Sequence, residues 1–269
     1  MFKEKSENVR KLSPVVHNIT NYVTVNDCAN ILLACGASPI MADEPLEAAD
    51  ITSICSGLNI NIGTLNERTS KSMFISGKKA NELNIPVLLD PVGAGASALR
   101  TDTAVKLLSE VKFSVIRGNA SEIKTLAGES ADTKGVDAGE TDAINDDMVE
   151  TAKKFALKTG AVVAVTGKTD IVTDGTKTFL INNGNKMMSS ITGTGCQLSA
   201  LMTAFAAANK DDILTACAAA VCTMGLCGEK GAGRMTSLDG NSSYRNYIID
   251  AVYNLTGDDL ERGAKYEVR

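Results

Sequence analysis

The chain has 269 residues, 44% hydrophobic and 22% charged, a composition that supports a packed core and argues against intrinsic disorder. Its net charge of -5 and pI of about 5.1 exclude a broad electrostatic attraction to nucleic acid or anionic lipid, so the expected partner is a small molecule in a local pocket. The length fits one α/β domain spanning residues 1–269 or, as the second choice, two small ones.

The first eleven residues, MFKEKSENVRK, lack the apolar run of a secretory signal. Short β-branched runs predict strands at residues 14–16, 38–41, 58–62, 87–89, 113–116 and 161–165. Helical patterns lie between them at 26–35, 46–54, 67–83, 101–109, 121–127 and 146–158. Gly36, Gly128 and Gly160 stand where helix ends want a left-handed residue. Such alternation gives βαβ units, hence a mostly parallel sheet covered on both faces. Residues 128–142 read as a surface loop. Beyond Val165 the pattern changes to hairpins, with strands at 170–173, 177–182 and 186–191 and turns at Asp174-Gly175 and Asn183-Gly184-Asn185, which predicts an antiparallel edge. Helices at 197–209, 212–228 and 244–255 close the chain. The longest uncharged helical stretch, 215–228, is too short and too rich in Gly and Ala to span a bilayer.

Seven cysteines, an odd number without a C-x-x-C pair, form a reduced, intracellular pattern and predict a cytoplasmic protein. Cys217, Cys222 and Cys227 recur every five residues, about 140° apart around a helix, so they cannot converge on a metal and read as core residues.

Ligands of an open parallel sheet sit at the carboxyl ends of its strands. Four such places carry chemistry. The glycines of Thr192-Gly193-Thr194-Gly195-Cys196 leave backbone N–H groups bare where a helix starts, a site for phosphate oxygens or simply a helix-starting turn. Asp90 and Glu122, at neighbouring strand ends, suit Mg²⁺ held directly or through water. Each also has a plainer structural reading: Glu122 as the partner of Asn119 in a capping box, Asp90 as a turn former before proline. Arg117 can clamp a nucleotide phosphate or make a surface salt bridge. Thr166-Gly167 follows the strand at 161–165. His17, the single histidine, stands at an early strand end where it can orient substrate, and no G-x-S-x-G elbow makes it part of a hydrolase. The run Gly93 to Ala98 fits G-x-G-x-x-A, but Asp90-Pro91 separates it from the strand, which argues against a dinucleotide site. Gly167-Lys168-Thr169 lacks the glycine spacing of a P-loop.

Taken in order, VVHNITNYVT at 15–24, Ala29-Asn30, GASPIM at 36–41, LDPVGA at 89–94, RGNASEI at 117–123, VTG at 165–167 and TGTGC at 192–196 closely resemble the hydroxyethylthiazole kinases of the ribokinase-like superfamily. The likeness runs from about residue 12 to near the C-terminus. It implies a three-layer αβα ribokinase-like fold and transfer of the ATP γ-phosphoryl group to the primary alcohol of 4-methyl-5-(2-hydroxyethyl)thiazole, a step of thiamine salvage. It also implies a homotrimer with active sites at subunit interfaces. By the same resemblance Met41 lines the thiazole pocket, Gly193 contacts the substrate, Arg117 and Thr166 hold ATP, and Asp90 and Glu122 organise Mg²⁺. Cys196, beside Gly193 and Gly195 in the catalytic turn, stands where most ribokinase relatives carry an aspartate base. A thiol at a helix N-terminus can have a lowered pKa and take the alcohol proton, or it can be a spectator. The competing readings are a related kinase for another small alcohol such as hydroxymethylpyrimidine, and a catalytically silent thiazole- or nucleotide-binding protein.

Overall fold

The computed structural model describes residues 1–129 and 146–269; the loop predicted at 128–142 lies, beyond its first two residues, outside the described residues. Strands β1 (Val15–Ile19), β2 (Ser38–Ile40), β3 (Gly57–Asn61), β4 (Val87–Asp90), β5 (Val115–Asn119), β6 (Val162–Thr166), β7 (Asp170–Thr173), β8 (Thr178–Ile181) and β9 (Tyr266–Val268) form one sheet. Their spatial order is β2-β1-β3-β4-β5-β6-β7-β8-β9. Neighbours from β2 to β6 are parallel, and those from β6 to β9 antiparallel.

Because side chains alternate across a strand, each strand feeds both faces of the sheet. Val16, Leu88, Val115, Val172 and Phe179 join the core shared with α1 (Phe2–Leu12), α2 (Val25–Cys35), α8 (Thr194–Ala208), α9 (Ile213–Arg234), α10 (Asn241–Asn254) and α11 (Gly257–Gly263). Leu58, Ile60, Leu89, Ile116 and Val163 pack on the opposite face with α4 (Glu67–Glu82), α5 (Ala98–Glu110), α6 (Ala120–Ala127) and α7 (Asp146–Thr159). A short α3 (Ala48–Ser53) leads into β3. The result is the expected three-layer αβα fold with an antiparallel edge. Gly36, Gly128 and Gly160 take the left-handed conformation expected of them, with φ of 92°, 84° and 69°.

The structure departs from the sequence reading, or adds to it, at four places. Residues 186–191 are not a strand: Lys186–Ser190 form a 3-10 helix capped by the Asn185 side chain, because adjacent Met187 and Met188 break the in-out alternation a strand needs. The last antiparallel partner is instead β9, beside β8. The N-terminal segment, read only for the absence of a signal, is α1, which buries Phe2 and Val9. Finally, α9 runs 22 residues, past the expected end at 228, and is long and apolar enough to cross a membrane. Within the fold, however, 83% of that apolar window is buried, so α9 is a core helix. Cys217, Cys222 and Cys227 are buried along it, as expected of small core residues.

Parallel pairing sets the ends of the central strands side by side, with Asn61 opposite Asp90 and Asn119 opposite Thr166. The polar residues of the strand ends therefore meet on one rim of the sheet.

Candidate active site

Helix α8 begins on that rim. Gly193 is its N-cap with φ 86°, a left-handed conformation natural to glycine. A Cβ at Gly193 would run into the Thr24 methyl group, and Thr24 in turn starts α2. Two helix N-termini, each carrying roughly half a positive charge, thus converge beside the glycine turn.

Arg117, on β5, spans the neighbouring strand ends. Its Nη2 donates to Thr166 Oγ1 at 2.8 Å, and its Nη1 lies 3.4 Å from Asp90 Oδ1. The guanidinium also lies against Gly195, where an added Cβ would come within 2.5 to 2.9 Å of it. The Arg117 side chain is only 11% exposed, so the surface salt bridge is ruled out in favour of a buried pair. Its Nε is buried and has no hydrogen-bond partner among the described residues. An unpaired donor in that setting is costly unless an anion occupies the space beside it.

Asp90 is fully buried. Its Oδ2 accepts from Asn61 Nδ2 at 2.7 Å and from Ser199 Oγ at 2.8 Å. Burial pushes its carboxyl up to about 6, against the pull of Arg117, Ser199 and Asn61 and with a further push from Glu122. Glu122 does form the capping box with Asn119, accepting the Asn119 N–H at 2.8 Å. Its other oxygen, Oε1, accepts the Gly93 N–H at 2.8 Å, so this side chain ties α6 to the loop after β4. Hard carboxylate oxygens of this kind suit Mg²⁺, which is usually held by one or two carboxylates together with substrate phosphates. Among the described residues no cluster of three or more acidic, histidine or cysteine ligands forms a cage; the acidic pair fits an ion that arrives with a polyphosphate.

Cys196 is buried in the first turn of α8. Its sulfur accepts from Asn21 Nδ2 at 3.2 Å and Asn61 Nδ2 at 3.3 Å. The helix N-terminus does not lower its pKa: burial, then the Asp90 carboxylate, push the thiol up, outweighing Thr24, Asn21 and Asn61. Cys196 therefore stays protonated at neutral pH and makes a poor base.

Met41 follows β2 at the sheet edge, half-buried against the core of the α8 face, three strand positions from Asp90. His17 has both ring nitrogens engaged by the protein itself. It is wholly buried, with Nε2 donating to the Ala42 carbonyl at 2.8 Å and Nδ1 3.0 Å from Thr52 Oγ1. Burial lowers its pKa, so it serves as a neutral pin for the loop that carries Met41.

The structure thus gathers Asp90, Arg117, Glu122, Thr166, Gly193, Gly195 and Cys196 on one rim and leaves Met41 at its edge. Sequence reasoning missed Asn21, Thr24, Asn61 and Ser199 as members of the cluster. The period-two pattern of β3 carried a signal, since it sets Asn59 and Asn61 on one face, both buried. Asparagine in the interior of a strand is unfavourable unless its amide is bonded there.

A model of the hydroxyethylthiazole kinase family matches residues 7–258. The chain is 61% identical over 271 aligned positions to a hydroxyethylthiazole kinase of Clostridium acetobutylicum, covering 99% of each sequence. It is similar in structure to the hydroxyethylthiazole kinase protein of Pyrococcus horikoshii, with a TM-score of 0.89, 35% identity and coverage of 100% of this chain and 98% of that one. Pyridoxal kinase of Staphylococcus aureus in complex with ADP shares the fold, with a TM-score of 0.63 at 16% identity and coverage of 95% and 97%. With a glycine turn, a buried guanidinium and two carboxylates assembled on the rim of a kinase fold, the chain belongs to the hydroxyethylthiazole kinase family.

Proposed function

We propose that the rim at Thr192 to Cys196 is where this chain performs its family's reaction, the ATP-dependent phosphorylation of the primary alcohol of 4-methyl-5-(2-hydroxyethyl)thiazole in thiamine salvage. The observation that carries the assignment of the site is Arg117, whose buried guanidinium spans Asp90, Thr166 and Gly195 with Nε unpaired among the described residues. A transferring phosphoryl group supplies the acceptor oxygens that this fork lacks, and phosphoryl transfer draws most of its rate from such positioning and charge stabilisation. Arg117 and Thr166 hold the nucleotide phosphates, and the bare amides of Gly193 and Gly195 face the developing charge. Met41 borders the thiazole, its soft thioether a suitable neighbour for an aromatic ring. Asp90 and Glu122 would hold Mg²⁺, which when bound neutralises phosphate charge.

The attacking alcohol must shed its proton, which in a loose transition state passes late to an oxygen of the transferred phosphoryl group and from there to water. Cys196, a raised thiol accepting two amide N–H bonds, is a packing group here rather than the base. Cys196→Ala is accordingly expected to lower single-turnover phosphoryl transfer by less than the roughly hundredfold minimum a positioned base contributes, with ATP and thiazole binding preserved. Abolished transfer with intact binding would assign the proton to the thiol.

One nine-stranded sheet built from both ends of the chain supports a single kinase domain. Seven free, buried cysteines support a reducing compartment, the cytoplasm. Tyr22, Val23 and Leu46 are apolar yet 77%, 56% and 91% exposed, and they flank Asn21 and Met41. A neighbouring copy seated on them would border the site, which supports a homotrimer with interfacial active sites; sedimentation of the purified protein tests it. The activity is tested by ADP release from Mg²⁺-ATP across thiazole, pyrimidine and sugar alcohols. Turnover of the thiazole alcohol is expected, and turnover confined to sugars or to hydroxymethylpyrimidine would overturn the substrate. Tight thiazole binding without ADP release would make the chain a silent binder.

A further inference from the structure

The glycine run after β4, which imitates a dinucleotide fingerprint, has a different use in the fold. Arg100 lies in the first turn of α5, its backbone N–H capped by Ser97 Oγ. Its guanidinium packs against Gly93, where a Cβ would collide with it, and Gly93 takes φ 76°. The partners of this half-buried cation are two neutral carbonyls on adjacent strand-end loops. Nη1 donates to Val92 O at 2.9 Å, and Nη2 donates to Gly63 O at 2.7 Å.

Each of those loops ends on one of the two carboxylates. The Gly63 N–H donates to Asn61 Oδ1 at 2.9 Å, and the same Asn61 amide donates to Asp90. On the other side, Gly93, next to Val92, donates its N–H to Glu122. One guanidinium therefore closes a frame that runs from Asp90 through Asn61 and Gly63 to Arg100, then through Val92 and Gly93 to Glu122. Two carbonyls on separate loops are spanned by a rigid fork, whereas a lysine ammonium is a point charge that holds them less strictly.

We propose that Arg100 is a positioning residue for the active site, fixing the separation of Asp90 and Glu122 and so the affinity of the pair for the divalent cation that accompanies the nucleotide. This rests on the reading of those two carboxylates as the Mg²⁺ pair. Groups that hold metal ligands in place typically contribute tenfold or more to metal affinity, so Arg100→Met, which keeps the aliphatic stem, weakens binding about tenfold. Arg100→Lys, retaining the charge without the fork, falls between Arg100→Met and the parent.

The test is Mn²⁺ titration of each variant with ADP present, read from the electron paramagnetic resonance of free Mn²⁺, alongside thermal unfolding, thiazole KM and kcat. Weakened Mn²⁺ binding with thiazole KM within about twofold of the parent is the expected result, with Tm lowered no further than the loss of two hydrogen bonds accounts for. Partial recovery of Mn²⁺ affinity in Arg100→Met on adding low millimolar guanidinium is expected as well. Unchanged Mn²⁺ affinity in Arg100→Met, or a lowered Tm with thiazole and Mn²⁺ binding lost together, would overturn the proposal. Glu122→Gln, titrated in parallel, separates the causes. If it weakens Mn²⁺ binding and Arg100→Met does not, the role of Arg100 alone fails; if neither does, the metal reading fails and takes this inference with it.

Discussion

Asp90→Asn is expected to lower kcat by about a thousandfold, the upper range for removing one stabilising group from a water-excluded site, while leaving the protein at least as stable at pH 7 as its parent. The loss follows from position. Asp90 holds Arg117, Asn61 and Ser199 together, and asparagine would turn an N–H toward the guanidinium or toward one of the two donors at Oδ2. The stability follows from the balance of burial against Arg117. Because burial wins, the folded pKa of about 6 lies above the ordinary aspartate value of 3.8, and the ionised form is the costly one. A carboxyl raised in this way favours folding below its unfolded pKa, and that contribution is lost as pH rises through the folded value. A rise of this size corresponds to about 3 kcal/mol once ionisation is complete, of which the asparagine N–H facing Arg117 takes back about 1 to 2 kcal/mol. Urea unfolding of both proteins tests this: their stability difference should move in favour of Asp90→Asn between pH 4.5 and pH 7.5. The parent's kcat/KM should fall on the acid side of about pH 6 as Asp90 takes up its proton. An Asn variant keeping a tenth of the parental kcat would show that the ionised carboxylate is not required, and a stability difference indifferent to pH would show that it is not strained.

The contrast between Asp90 and its neighbours shows what sequence alone made legible. The strand cores were readable because parallel strands buried on both faces are continuous β-branched runs. The edges were not. β9 is three exposed residues with no pattern to detect, and α1 is so charged that its two apolar anchors, Phe2 and Val9, gain meaning only from the core they enter. The site divides in the same way. Groups at strand ends beside glycine, such as Asp90, Arg117 and Thr166, were visible as a pattern along the chain. Asn21 and Ser199 were not, since asparagine and serine read as turn formers and caps, and Asn61 was marked only by the alternation of β3. Their roles depend on contacts across 29 to 175 residues of sequence. The direction of the Cys196 pKa was likewise a tertiary property: helix position argues for lowering, whereas burial beside Asp90 raises it.

Gly195→Ala is expected to cost about a hundredfold or more in kcat/KM for ATP without straining the backbone of α8, which separates it from its neighbour in the turn. At Gly193 the backbone is left-handed and Thr24 fills the space of a Cβ, so alanine there strains the fold by about 1 to 3 kcal/mol. Gly195 is already inside α8 and has no positive φ. Alanine suits that backbone, gaining up to about 1 kcal/mol in helix propensity, and the damage falls on what the Cβ meets. It would stand 2.5 Å from Arg117 Nη2 and 2.6 Å from Nη1, closer than such atoms pack. The guanidinium must therefore shift from the place where it bonds Thr166 and faces Asp90, and with it the phosphate site. A double-mutant cycle isolates this route, because partners acting through one contact are not additive. In an Arg117→Ala background, Gly195→Ala should add almost nothing to the loss. An equal further loss in that background would mean that the Gly195 backbone amide itself carries the effect, and that Arg117 is kept in place by something other than the absence of a side chain at residue 195.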